Sequence, residues 1–172
     1  MYYGEIKKCD IANGEGVRVS LFVSRVYASL SGMFQCRYFG ILNTEANIQI
    51  RRKKRFWRRS RQVIINGLTL LGGEPFEPEN QKTLVGLLRK VRESYPEKNI
   101  WCYTGYLYDE QLLNNSRARC EYTDEMLSMI DVLVDGEFVE ALKDIRLVFR
   151  GSSNQRVIDV KKSLGQNEIV MW

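Results

Sequence analysis

Val63-Ile64-Ile65-Asn66-Gly67-Leu68-Thr69-Leu70-Leu71-Gly72-Gly73-Glu74-Pro75 is an apolar run that stops at two glycines. Near-continuous apolarity closed by a turn signal is the pattern of a strand buried on both faces. Strands of that kind belong to parallel sheets, whose ligands gather beyond the carboxyl ends. Gly72 and Gly73 permit positive φ and let the backbone approach a ligand, and Glu74 can pair with a cationic amine. Taken alone, Gly-Gly-Glu-Pro reads better as a plain strand-ending turn than as a ligand site.

Working outward, Pro78 suits a first helical turn, and Leu84, Leu87, Leu88 and Val91 follow at helical spacing. The helix should end before Pro96. Asn99-Ile100-Trp101-Cys102-Tyr103 reads as the next strand, closed by Thr104-Gly105. Short helices are predicted at Asp109 to Leu113 and from Thr123, whose hydroxyl can cap a turn holding Asp124 and Glu125. Asp131-Val132-Leu133-Val134-Asp135-Gly136 is a third buried strand, followed by a short helix from Phe138 to Leu142. The tail, Arg146 to Phe149 and Arg156 to Val160, reads as extended. Upstream, Val17, Val19, Leu21 and Val23 carry the two-residue alternation of a strand with one buried face. Strand, helix, strand, helix, strand implies right-handed crossovers around a parallel sheet.

The chain has 172 residues, enough for one domain with a core of its own, and a single domain over 1–172 is expected. No apolar run approaches the roughly 18 to 20 residues that cross a bilayer. The start lacks the basic and apolar regions of a leader, so a cytoplasmic protein without membrane contact is expected. The net charge of +5 is local. Residues 25–62 hold ten Arg or Lys against the single acid Glu45, leaving 16 of the 26 bases and 20 of the 21 acids elsewhere. The charge therefore does not argue for a nucleic-acid partner. Cys9, Cys36, Cys102 and Cys120 include no C-x-x-C pair, and there is no histidine, which argues against zinc and excludes Ser-His and Cys-His nucleophiles.

Residues 25–62 fit none of this pattern. Arg51-Arg52-Lys53-Lys54-Arg55-Phe56-Trp57-Arg58-Arg59-Ser60-Arg61 is a dense cationic run abutting a strand that should enter the core. Local and global signals conflict there, and 40–62 is expected to be poorly ordered.

Four further stretches complete a recognisable set: Lys7-Lys8-Cys9-Asp10-Ile11-Ala12-Asn13-Gly14-Glu15-Gly16, Trp101-Cys102-Tyr103-Thr104-Gly105-Tyr106, Asp131 to Gly136, and Arg150-Gly151-Ser152-Ser153-Asn154-Gln155. With Asn66 to Phe76 they resemble the activating proteins of anaerobic ribonucleoside-triphosphate reductase, small radical S-adenosylmethionine (SAM) enzymes that activate a glycyl radical enzyme. The resemblance spans roughly three quarters of the chain. It implies an α/β fold with a partial (β/α) barrel-like parallel sheet of the radical SAM type. It also implies an iron-sulfur oxidoreductase that cleaves SAM reductively and forms a glycyl radical on the reductase catalytic subunit, fed by an electron donor such as flavodoxin. By position, Gly72, Gly73, Glu74, Thr104, Gly105 and Asp135 would form the SAM pocket.

The family pattern continues from the first strand into C-x-x-x-C-x-x-C, whose thiolates hold a 4Fe-4S cluster. Those cysteines would fall at Val26, Leu30 and Met33, none of which ligates iron. The segment has the right length and the wrong identity, as a reading-frame slip produces. Read one base later, a Met codon followed by a Phe codon gives Cys, so Met33-Phe34 hides a cysteine. Arg25, Val26, Leu30, Gly32 and Phe34 permit Gly, Cys, Cys, Gly and Phe in that frame. From Phe39 the other frame permits a family-like continuation, and Arg55 to Arg61 an acidic helix. Compensated frameshifts over about 25–62 are therefore expected. As written the chain should not cleave SAM. The alternatives are a non-catalytic module that binds the reductase and, more remotely, a nucleic-acid contact through Arg51 to Arg61.

Overall fold

The computed structural model describes residues 2–24 and 65–172. The expectations for Val26, Leu30, Met33, Cys36 and the order of 40–62 lie outside the described residues. The strands are β1 (Tyr2–Asp10), β2 (Arg18–Ser24), β3 (Gly67–Gly72), β4 (Asn99–Tyr103), β5 (Val132–Asp135) and β6 (Arg156–Asp159). The helices are α1 (Pro78–Ser94), α2 (Thr123–Met129) and α3 (Val160–Gln166). One sheet carries the six strands in chain order. β2 to β5 run parallel, as the crossover pattern requires, while β1 and β6 pair antiparallel at the two edges, which makes the sheet mixed.

Strand pairing places Leu21, Leu70, Cys102, Leu133 and Ile158 in one row across five strands. That row is buried against Leu84, Leu88 and Val91 of α1 and Met126 and Leu127 of α2. The opposite face is smaller: Trp101, Val132, Val134 and Val157 pack together, with Tyr103 and Phe149 against them. Phe149 and Trp172 meet Trp101 edge to face, with ring centroids 5.0 and 4.9 Å away. β4 matches the predicted strand residue for residue, and α1 starts at the predicted Pro78 and ends, as expected, before Pro96. Two elements were not foreseen. β1 is an edge strand with exposed lysines and, among its described side chains, only Ile6 packed against the main core, held mainly by its ladder to β2. α3 starts where extended chain was expected, because Asp159 accepts a hydrogen bond from the Lys162 amide and caps it. Residues 146–149 form no strand. Thr123 opens α2 without capping it; its hydroxyl accepts from the Cys120 amide and donates to Gln81.

At the amino ends of the parallel strands, Arg18 lies wholly buried. Its five N–H groups all find acceptors, none of them charged. Nε donates to Thr69 Oγ1 at 2.6 Å, Nη1 to Glu15 O and Asn99 Oδ1, and Nη2 to Leu68 O and Asn99 O. The guanidinium sits 5.4 Å from the Trp101 ring centroid. Burial pulls its pKa down to about 10, so it remains a cation at neutral pH. Thr69 passes the connection on by donating to Asn13 O. One side chain thereby ties the β1–β2 loop, β2, β3 and β4 together.

Candidate functional site

A cavity of about 780 Å³ opens at the carboxyl ends of β3, β4 and β5. Its size falls within the range of small-molecule sites. Gly72, Gly73 and Glu74 line it from β3, Thr104 and Gly105 from β4, and Gly136 from β5. Five of the six residues expected to form a pocket therefore meet in one cavity.

Gly72 is required by its surroundings: φ is +98°, and a Cβ there would stand 2.6 Å from Val23 O. The Gly73 amide donates to the same carbonyl at 2.7 Å, locking the turn to β2. Glu74 follows at φ +142°, a conformation that side-chain-bearing residues rarely adopt. It is 9 % exposed. Its Oε1 accepts from the Phe76 amide at 2.9 Å and the Thr104 hydroxyl at 2.7 Å, and its Oε2 from the Gly105 amide at 2.8 Å. A carboxylate offers about four lone-pair sites, so one remains, on Oε2. Burial raises the Glu74 pKa above the ordinary 4.5, while the bonds from Phe76, Gly105 and Thr104 oppose the rise. The carboxylate thus joins the end of β3 to the end of β4 and keeps one acceptor position unfilled at the cavity wall.

Asp135 is placed differently. It is wholly buried and does not line the cavity. Arg156 donates to both its oxygens, at 2.9 and 2.5 Å, and the Tyr108 amide adds a bond at 2.8 Å. Arg156 also reaches Asp109 Oδ1 at 2.7 Å, which holds the Asp109 pKa below its ordinary value. Asp135 thereby fixes the single turn of π-helix at Tyr108–Leu112, whose Gln111 lines the cavity. Arg156→Leu is expected to cost about 3 kcal/mol, because it strands a buried carboxylate. Urea denaturation checks the loss, and the double variant with Asp135→Asn should recover part of it.

Other walls were not assigned to the site from sequence: Tyr103, Tyr106 and Gln155 lie in the quoted motifs, Gln111 and Phe138 in the predicted short helices, and Arg117 carried no signal. Tyr106 and Arg117 both donate to Glu77 Oε1, at 3.0 and 2.7 Å, forming a polar rim. The start of α1 supports the turn from behind, since Asn80 Nδ2 donates to Glu74 O and Gln81 Nε2 to Phe76 O and Ala118 O. Two buried amides in a first helical turn, directly after a Gly-Gly-Glu, were the available signal for this role.

Among the described residues, no group of three or more His, Cys, Asp or Glu stands together to hold a metal. Cys9 is exposed on β1, Cys102 is buried in the helix-side core with its thiol pKa raised by burial, and Cys120 is half-buried before α2.

A family model described as a 4Fe-4S single cluster domain matches residues 12–158. The chain is 38% identical over 160 residues to the anaerobic ribonucleoside-triphosphate reductase-activating protein of Haemophilus influenzae, covering 90% of this chain and 96% of that one. The protein of the same name from Escherichia coli is 34% identical over 167 residues, covering 91% and 97%. That of Vibrio cholerae is 32% identical over 156 residues, covering 90% and 96%. No solved structure matches. A match over most of its length at these identities shows that the chain belongs to the family of anaerobic ribonucleoside-triphosphate reductase-activating proteins.

Proposed function

We propose that the cavity is a SAM pocket on a partial (β/α) barrel whose core is β2 to β5, and that the chain serves the anaerobic ribonucleoside-triphosphate reductase, as its relatives' names state. The Glu74 geometry carries this reading: a buried carboxylate, held by three donors, keeps one acceptor beside glycine backbone. That acceptor would orient the amine of SAM, and Gly72 and Gly73 would let the backbone close on its aminoacyl end. Thr104 and Gly105 hold the carboxylate in place, and Asp135 holds the far wall through Arg156. The Tyr106 and Phe138 rings offer flat apolar surface for an adenine and exclude water from it.

The 4Fe-4S cluster of the family does not fit this chain as written. Val26, Leu30 and Met33 stand where three thiolates are needed, and the described cysteines lie in three separate places. No reaction step is therefore assigned through a cluster, and the chain as encoded is read as a SAM-binding, reductase-binding protein without SAM cleavage. Residues 25–62 are read as translated out of frame. Sequencing the gene tests that reading, which fails if no frame there spells the cysteine triplet.

Isothermal titration with SAM tests the pocket. One site per chain is expected, and Glu74→Gln should weaken binding at least about tenfold, since a charged hydrogen bond contributes about 1.5 to 3 kcal/mol. A proton on Glu74 competes with a cationic amine, and the Glu74 pKa lies above 4.5. Affinity should thus be full near neutral pH and fall as pH drops toward 4.5, with the fall beginning above that value. A pH-independent affinity, or an unaltered one in Glu74→Gln, would remove Glu74 from the site.

A further inference from the structure

Between β5 and β6 the chain makes an excursion that presents apolar side chains to solvent. Ile145 is 94 % exposed and Val148 65 %, with Phe138, Leu142 and Val139 also exposed to lesser degrees. Their backbone is well ordered by its own bonds. The Leu142 amide donates to Val139 O, Lys143 pairs with Ser152 in an antiparallel bridge, the Asp144 amide donates to Gly151 O, and the Ser153 amide to Leu142 O. Phe149, in the same excursion, turns the other way and anchors on Trp101. A surface built this firmly that still displays isoleucine and valine is a binding surface by physical economy, because nothing in the fold requires those residues to face water.

Three observations select the occupant. Phe138 belongs both to this surface and to the cavity wall, so whatever docks here lies at the cavity mouth. The charges among the apolar residues neutralise each other locally, Lys143 with Glu140 and Arg146 with Asp144, which leaves no basic field for an anionic membrane or nucleic acid. The relatives are named as activating proteins of a reductase, so the partner their names imply is another protein. We infer that residues 138–148 form the docking surface for an uncharged, apolar segment of the reductase, presented at the cavity mouth. This rests on the SAM-pocket reading for the cavity beside it.

The test uses Ile145→Glu/Val148→Glu in the full chain, with Leu164→Glu on α3 as a control at another exposed leucine. Binding to the purified reductase of the same organism is measured by biolayer interferometry, and SAM binding by calorimetry on the same samples. The double variant should bind the reductase at least tenfold more weakly, with Leu164→Glu and the SAM affinity unchanged. The inference is overturned by reductase affinity within twofold of the original chain, by an equal loss in Leu164→Glu, or by no reductase binding in the original chain. It is also overturned if sedimentation shows the double variant converting a dimer to a monomer while reductase binding persists, which would assign the surface to a second copy. Failure of SAM binding alone removes the pocket reading and leaves the docking result to be judged by the reductase measurement.

Discussion

Arg18→Met is expected to destabilise the protein by about 5 kcal/mol, five hydrogen bonds at about 1 kcal/mol net each, enough to leave much of the chain unfolded at the usual ~5 to 15 kcal/mol of stability. Methionine nearly fills the space but donates nothing, so Asn99 Oδ1, the Leu68 and Asn99 carbonyls and Glu15 O lose their partner together. The loss of the guanidinium also uncovers the Trp101 face, on which Phe149 and Trp172 rest. Arg18→Lys separates geometry from charge. It keeps the cation but has three donors for five acceptors, and should retain at most about half of the stability at issue. Denaturation followed by tryptophan fluorescence reads both. Two variants within about 1 kcal/mol of the original would show that the buried guanidinium is not what joins the β1–β2 loop to the sheet.

The second large effect concerns iron. Reconstituted anaerobically with iron and sulfide, the chain as encoded should carry no 4Fe-4S absorbance and release no 5′-deoxyadenosine from SAM. The same gene with its frame restored across 25–62 should carry about four irons per chain and cleave SAM, because three thiolates then stand at 26, 30 and 33. The contrast is all or none, since a valine, a leucine and a methionine supply no anionic sulfur. A cluster in the chain as encoded would mean that Cys36 and thiols from other places assemble one, against the separation of Cys9, Cys102 and Cys120. Failure of the restored chain to take up iron would reject the frameshift reading.

The parallel core was legible because burial writes itself into composition. β3, β4 and β5 are largely apolar on both sides, since helices cover one face, and on the other Phe149 and Trp172 pack on Trp101 of β4. β1 was not legible, because it is held mainly by backbone hydrogen bonds and its apolar residues, Tyr2, Tyr3, Ile6 and Cys9, follow no two-residue alternation. α3 was hidden by its position directly after β6, with Asp159 serving as both strand end and cap. At the site, Gly72, Gly73 and Glu74 were readable because a tight turn and a charge demand particular residue types. The division of labour between the two carboxylates was not. Both end a strand, yet Glu74 faces the cavity while Asp135 is consumed by Arg156, a residue 21 positions further on. Only the antiparallel return of β6 brings that guanidinium alongside. The distinction thus depends on topology, which strand patterning alone does not specify.

We propose that a SAM pocket persists in this chain independently of iron. Equilibrium dialysis of labelled SAM against the purified chain, in the presence of a strong iron chelator, tests it most directly. Saturable binding of one SAM per chain, unchanged by the chelator and weakened by Glu74→Gln, is predicted. Absence of saturable binding, or binding that appears only when iron is supplied and vanishes on chelation, would contradict it.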